Sequence, residues 1–286
     1  MRSILDTIGN TPIVRLEYFE SLYNLKAHLY AKLEYFNPFG SIKDRAALSI
    51  IRDAENQGLL HNQVIVESSS GNLGVALSAI SNIKGYKCII VAPNNISEKR
   101  KKLISKYNAE IILTDSKYGM SGANETAKSI CSKINGFYCD QFNNESSVLA
   151  HYTSTAPEIY TDMNNNIDVI ICGIGSGGTI TGIGKYFSEV NRDTKIYGVL
   201  PDTFPHDIYG IGAGFTPSIL NFDYIEDILY SSVKEANEAC CDLLKYMSIS
   251  VGKSSGAVLS KAIKLAQTDE VKGKNIVMIF ADSGNY

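Results

Sequence analysis

Short apolar segments alternate with helix-length segments along the whole of this 286-residue chain. Residues 64–67, 87–92, 110–113, 169–172, 196–200 and 276–281 have the length and apolar content of strands. Helical patterns occupy 46–57, 75–80, 97–107, 122–134, 147–163, 179–190, 234–246 and 256–267. Strands separated by helices of this size join in parallel through crossovers, so the alternation predicts an α/β fold. The run 169–172 is wholly apolar, which suits a strand covered on both faces. Two further strands are expected near 13–16 and at 28–33. The middle of the alternation puts a boundary near 140–150.

Apolar residues make up 44% of the chain and charged ones 20%, as in ordinary folded proteins. A formal charge of −3 provides no basic footprint for nucleic acid or an anionic membrane. No apolar run reaches the ~20 residues of a membrane span. The start Met1-Arg2-Ser3-Ile4-Leu5-Asp6 turns polar at once and has no leader pattern, so a cytoplasmic location is expected. The 6 cysteines form no Cys-x-x-Cys pair and are expected to be buried small hydrophobes in a reducing compartment. The 4 histidines lack ligand spacing, so no metal is expected.

Lys43 stands where a loop tips into a helix, in Asn37-Pro38-Phe39-Gly40-Ser41-Ile42-Lys43-Asp44-Arg45. Pro38 and Gly40 punctuate the loop; Ser41 is placed to cap the helix, with Asp44 three residues on as its reciprocal partner. The positive end of a helix disfavours an ammonium, which would favour Lys43 as a neutral amine or an imine nitrogen. A solvated surface lysine is the bland alternative.

Two further loops join strand to helix. Gly173-Ile174-Gly175-Ser176-Gly177-Gly178-Thr179 can converge backbone N–H groups on one phosphate at a helix start, or can simply be a tight packed turn. It is neither the Gly-x-Gly-x-x-Gly fingerprint nor a P-loop. Ser68-Ser69-Ser70-Gly71-Asn72 could hold a carboxylate through hydroxyls and amides, or could be an N-cap with spare serines. Ser283 follows the last strand, on the edge where α/β proteins place ligands. A lysine amine, a phosphate cradle and a carboxylate-sized loop together suit pyridoxal 5'-phosphate beside an amino acid.

These segments resemble the cysteine synthase (O-acetylserine sulfhydrylase) branch of the fold-type-II pyridoxal-phosphate enzymes, over nearly the whole chain. Asn-Pro-x-x-Ser-x-Lys-Asp-Arg at 37–45 is similar to the cofactor-lysine motif. Ser69-Ser70-Gly71-Asn72-Leu73-Gly74 resembles the carboxylate loop, Gln141-Phe142 its partner, and Gly175-Ser176-Gly177-Gly178-Thr179 the phosphate loop. The stretches 205–215, Ser254-Ser255-Gly256 and Asp282-Ser283-Gly284 match later landmarks.

The resemblance implies a fold like the tryptophan synthase β-subunit, with two three-layer αβα domains around twisted, mostly parallel sheets. Residues 1–34 with 147–286 would form the larger domain, which binds the cofactor phosphate. Residues 35–146 would form the smaller, mobile one. Lys43 would carry the cofactor as an imine and, once freed, remove the substrate α-proton. Asn72 would bond the ring hydroxyl, Gly175, Ser176, Gly177, Gly178 and Thr179 the phosphate, and Ser283 would face the ring nitrogen. Ser69, Ser70, Gly71 and Gln141 would hold the substrate carboxylate. The implied reaction is β-replacement on O-acetyl- or O-phospho-L-serine through an α-aminoacrylate, with sulfide giving cysteine, in a homodimer acting on small molecules.

Leu73 stands where the family usually has threonine, and 33–38 with Ser-Gly-Asn-Leu-Gly is closer to a synthase that makes N-(2-amino-2-carboxyethyl)-L-glutamate for a siderophore. An amine nucleophile giving a 2,3-diaminopropionate-type product is therefore the alternative, and a non-catalytic binding protein on the same fold is the reading from another class. The loop 201–205 is shorter than typical and the sequence ends just past Ser283, which bears on the second substrate and the dimer contacts.

Overall fold

Residues 3–284 are described by a computed structural model. Met1, Arg2, Asn285 and Tyr286 lie outside the described residues. The chain runs β1 (Ile13–Arg15), α1 (Glu17–Leu22), β2 (His28–Leu33), α2 (Lys43–Asn56), β3 (Ile65–Ser68), α3 (Asn72–Lys84) and β4 (Cys88–Pro93). It continues through α4 (Glu98–Lys106), β5 (Glu110–Thr114), α5 (Gly119–Ile134), β6 (Phe137–Tyr138), α6 (Ser146–Ala150) and α7 (Ala156–Asp162). The remaining elements are β7 (Val169–Gly173), α8 (Gly178–Val190), β8 (Lys195–Pro201), β9 (Asp227–Ser231), α9 (Val233–Met247), α10 (Lys253–Ala266) and β10 (Asn275–Phe280).

The strands form two sheets. One has the order β1-β2-β10-β7-β8-β9 and the other β5-β4-β3-β6. All pairings are parallel except β1 with β2, as the alternation predicts. The period-2 side-chain alternation buries both faces of each sheet. In β10, Ile276, Met278 and Phe280 pack with α9 and α10, while Val277 and Ile279 pack with α7 and α8. In the smaller sheet, Ile65, Cys88, Ile90 and Ala92 face α2, α3 and α4, while Val66 and Val91 face α5. Each sheet is the middle layer of an αβα sandwich. Leu5 and Ile8 pack in the core of the smaller sheet, so the opening residues, expected with the larger unit, sit on the other one.

The segment 147–163, expected as one helix, is interrupted by a π-helical turn, His151–Thr155. Pro157 has no N–H to continue the ladder, and the hydroxyls of Thr153 and Ser154 bond the carbonyls of Leu149 and Ala150 instead. Helix α10 begins at Lys253 rather than near Gly256, which brings Ser254 and Ser255 into its first turn. The short α1 and the partly exposed edge strand β9 give no clear periodic signal in the sequence and were not expected.

Candidate active site

In the smaller sheet β3 lies between β4 and β6, so the loops leaving β3 and β6 diverge at its carboxyl edge. Such a switch point opens a crevice for ligands. Ser68–Asn72 and Gln141 lie there. In the larger sheet β10 and β7 are neighbours, and their carboxyl ends carry Asp282–Ser283 and the 173–178 loop. The two edges meet. Ser41 forms an isolated antiparallel bridge with Asp282, and the Ile42 amide donates to the Ala281 carbonyl at 2.9 Å. That bridge swings the first turn of α2, and Lys43 with it, over the larger sheet.

Lys43 is half-buried, and its Nζ donates to Ser176 Oγ at 3.3 Å. Burial lowers its amine to about 8, against a smaller opposing pull from Glu67. Ser41 Oγ accepts from the Lys43 amide at 3.2 Å, but the N-cap position of α2 is Ile42, one residue on, and no side chain caps the helix from there. The reciprocal half of the capping box is absent. The turn through Gly40 (φ +91) carries the Phe39 amide over Asp44, whose Oδ2 accepts from it at 2.7 Å.

The amides in the first turn of α8 have no acceptor within the helix, and no side chain caps them. A Cβ at Gly175 would stand 2.2 Å from the Gly210 carbonyl oxygen, and Gly177 has φ +89. Packing therefore demands glycine at both positions, and the open amides are what suit an anion. Thr179 Oγ1 lies 3.2 Å from Nε2 of buried His151, which burial, Arg45 and Lys43 keep neutral.

Ser69 Oγ accepts from the amides of Gly71 and Gly74 at 3.2 and 3.1 Å, so this serine does cap α3. Its own proton stays available to a carboxylate. A Cβ on Gly71 would meet nothing within 4 Å, which places open space beside the loop. The buried Gln141 lies alongside, its amide donating to Glu67 Oε2 at 3.3 Å. Asn72 donates through Nδ2 to Asp282 Oδ2 at 2.6 Å, while its Oδ1 is buried without a partner. Ser283 is half-buried one residue beyond the Asp282 bridge. Ser254, buried in the first turn of α10, has its Oγ 4.0 Å from a Cβ placed on Gly210.

Sequence reasoning gave no role to Glu67, Asp282 or Arg45. Glu67 is fully buried under the carboxylate loop. Arg45 donates to both oxygens of the buried Glu34 and both of Glu158 at 2.7–2.8 Å, bolting α2 to β2 and α7. Its signal was a charged residue inside an otherwise apolar helix face. Two surface clefts of about 360 and 570 Å³ include neither Lys43 nor the glycine loop.

Two sheets meeting edge to edge, with an amine of lowered basicity facing open helix amides, define a cofactor-dependent α/β enzyme. The chain belongs to the pyridoxal-phosphate dependent enzyme family, which it matches over residues 4–282. It is 39% identical over 284 residues to cysteine synthase 3 of Caenorhabditis elegans, covering 95% of this chain and 84% of that protein. Its fold matches a cysteine synthase of Entamoeba histolytica with TM-score 0.96 and 34% identity, covering 99% and 88% of the two chains. It matches an O-ureido-L-serine synthase with TM-score 0.95 and 33% identity, covering 99% and 92%.

The residues present fit pyridoxal phosphate: open amides at 178–180 for the phosphate, the Lys43 amine, and the Asn72 side-chain amide, whose Nδ2 gives one hydrogen to Asp282 and has a second to offer.

Proposed function

We propose that this chain catalyses β-replacement on an O-activated L-serine, with sulfide as the second substrate and L-cysteine as the product. The Lys43–Ser176 contact carries the reading, because it sets an amine of lowered basicity against the phosphate cradle. Pyridoxal phosphate supplies an electron sink for the bond to the substrate α-hydrogen. The chain supplies the rest. Gly175 to Thr179 anchor the phosphate, Asn72 meets the ring hydroxyl, and Ser69, Ser70, Gly71 and Gln141 grip the substrate carboxylate. With an amine near 8, an appreciable fraction of Lys43 is neutral at neutral pH and can take the α-proton at Nζ. Loss of the acetate or phosphate group then leaves Cβ open to the nucleophile.

Ser283 is assigned to the ring nitrogen, where a hydroxyl, unlike a carboxylate, does not hold a proton. Ser283→Asp should slow loss of the leaving group; an unchanged rate overturns this assignment and the account of reaction choice built on it.

The larger unit, residues 13–34 with 147–286, is proposed to stay fixed while residues 35–146, with the segment around Leu5 and Ile8 packed on them, close on the substrate. Phe142 meets Phe215 edge-on at 5.0 Å, and Ser218 Oγ donates to Asn143 Oδ1 at 2.6 Å, so closing contacts are already within reach. Identical unit positions with and without a bound amino acid would sink this part. The enzyme is further proposed to be a cytoplasmic homodimer that engages neither nucleic acid nor membrane. Light scattering of the purified protein tests its oligomeric state.

An amine nucleophile is the second reading. It is favoured by Leu73, which is buried and puts no hydroxyl beside the carboxylate loop; a similar fold that serves O-ureido-L-serine synthesis supports only the wider point that nucleophiles other than sulfide are compatible with this architecture. Supplying O-acetyl- or O-phospho-L-serine with sulfide, then with amines, and identifying products by mass spectrometry decides between them. Cysteine with sulfide supports the first reading, a diaminopropionate the second, and no product with any pair overturns both.

A further inference from the structure

Asp282 is held from two sides by its backbone. It bridges Ser41 across the two sheets, and its carbonyl accepts from the Gly252 amide at 3.2 Å. This aims the side chain at Asn72, and the 2.6 Å bond from Nδ2 to Oδ2 is short, as for a donor meeting a carboxylate. Space for that carboxylate depends on Gly252, because a Cβ there would stand 2.0 Å from Asp282 Oδ1. Asp282 Oδ1 and Asn72 Oδ1 are both buried without partners. A carboxylate kept against Asn72 at the cost of an unpartnered buried oxygen calls for a role.

An asparagine amide can present either end, and its neighbours decide which. A carboxylate accepts only, so it selects the nitrogen end of Asn72. Nδ2 has two hydrogens, and the second is left for a ligand. We infer that Asp282 is a positioning residue for the cofactor: it locks the Asn72 amide nitrogen-first, so that the spare N–H meets the ring hydroxyl oxygen and favours its ionised form. Arg100 adds a favourable charge toward the same carboxylate. Burial acts in the opposite direction and raises the Asp282 carboxyl above its ordinary range. The inference rests on the reading that Asn72 meets the ring hydroxyl.

The test is a double-mutant cycle on apo-protein titrated with pyridoxal phosphate, using wild type, Asp282→Ala, Asn72→Ala and the double variant. Asp282→Ser, which keeps a small polar side chain, replaces Asp282→Ala if the latter does not fold. The readouts are the dissociation constant and the pH midpoint of the bound cofactor's visible absorbance. Loss of one charge-assisted contact is expected to weaken binding by roughly five- to tenfold. It should also raise the midpoint, and it should have no further effect once Asn72 is alanine. Additive losses, or an Asp282 variant with wild-type affinity and midpoint, overturn the inference. A wild type that binds no cofactor overturns the family reading as well. Binding that is indifferent to Asn72→Ala overturns the Asn72 contact and, with it, the role of Asp282.

Discussion

Lys43 Nζ lies 3.3 Å from Ser176 Oγ although 133 residues separate them in the chain. The contact joins the first turn of α2 to the loop before α8, and it exists because the Ser41–Asp282 bridge brings the two sheets edge to edge. Burial there lowers the amine to about 8, and only the neutral amine attacks an aldehyde. The rate at which apo-protein captures pyridoxal phosphate should therefore rise with pH and level off above about 8. Stopped-flow absorbance across pH 6 to 10.5 checks this; a rate still climbing at the ordinary lysine range contradicts it.

Glu67 lies buried beneath the 68–72 loop and accepts from the backbone amides of Ser68 and Gln141. Burial raises its carboxyl from 4.5 to about 8, against the hydrogen bonds from the amides of Ser68 and Gln141. A raised carboxyl stabilises the fold while protonated, so this contribution is complete below about 4.5 and is lost as pH rises through about 8. Glutamine mimics the protonated acid at every pH. The melting temperature of Glu67→Gln relative to wild type should accordingly rise between pH 5 and 8. Whatever constant offset the lost acceptor brings, a difference that stays flat across this window contradicts the account.

Arg45 holds α2 in place two residues from Lys43. Arg45→Met leaves Glu34, which is 0% exposed, as a buried carboxylate without its cation. Breaking such a pair costs about 3–5 kcal/mol. Glu98→Ala, which breaks the exposed and solvent-screened pair with Lys101, serves as the control and should cost far less. Denaturant unfolding of both variants checks the contrast, and equal losses would contradict it.

The parallel sheets were legible because runs such as 169–172 and 276–280 have no polar face to offer water. Lys43, Asn72 and the glycine loop were legible because each stands at a strand or helix end with a residue type that needs explaining. Asp282 and Glu67 were not: a lone carboxylate looks like a surface residue, and only the fold shows Asp282 bridged to Asn72 of the other unit and Glu67 covered by the Ser68 and Gln141 amides. The interruption at His151–Thr155 was hidden by an apolar period that continues through it, although Pro157 marked the place. The capping role of Asp44 failed for a local reason, since the Gly40 turn delivers a nearer amide.

Borohydride reduction of the protein with bound pyridoxal phosphate, followed by peptide mass mapping, tests the central claim most directly. The account predicts a single reduced adduct, on the peptide containing Lys43, that disappears in Lys43→Ala. An adduct on another lysine, or none on the wild type, would contradict it.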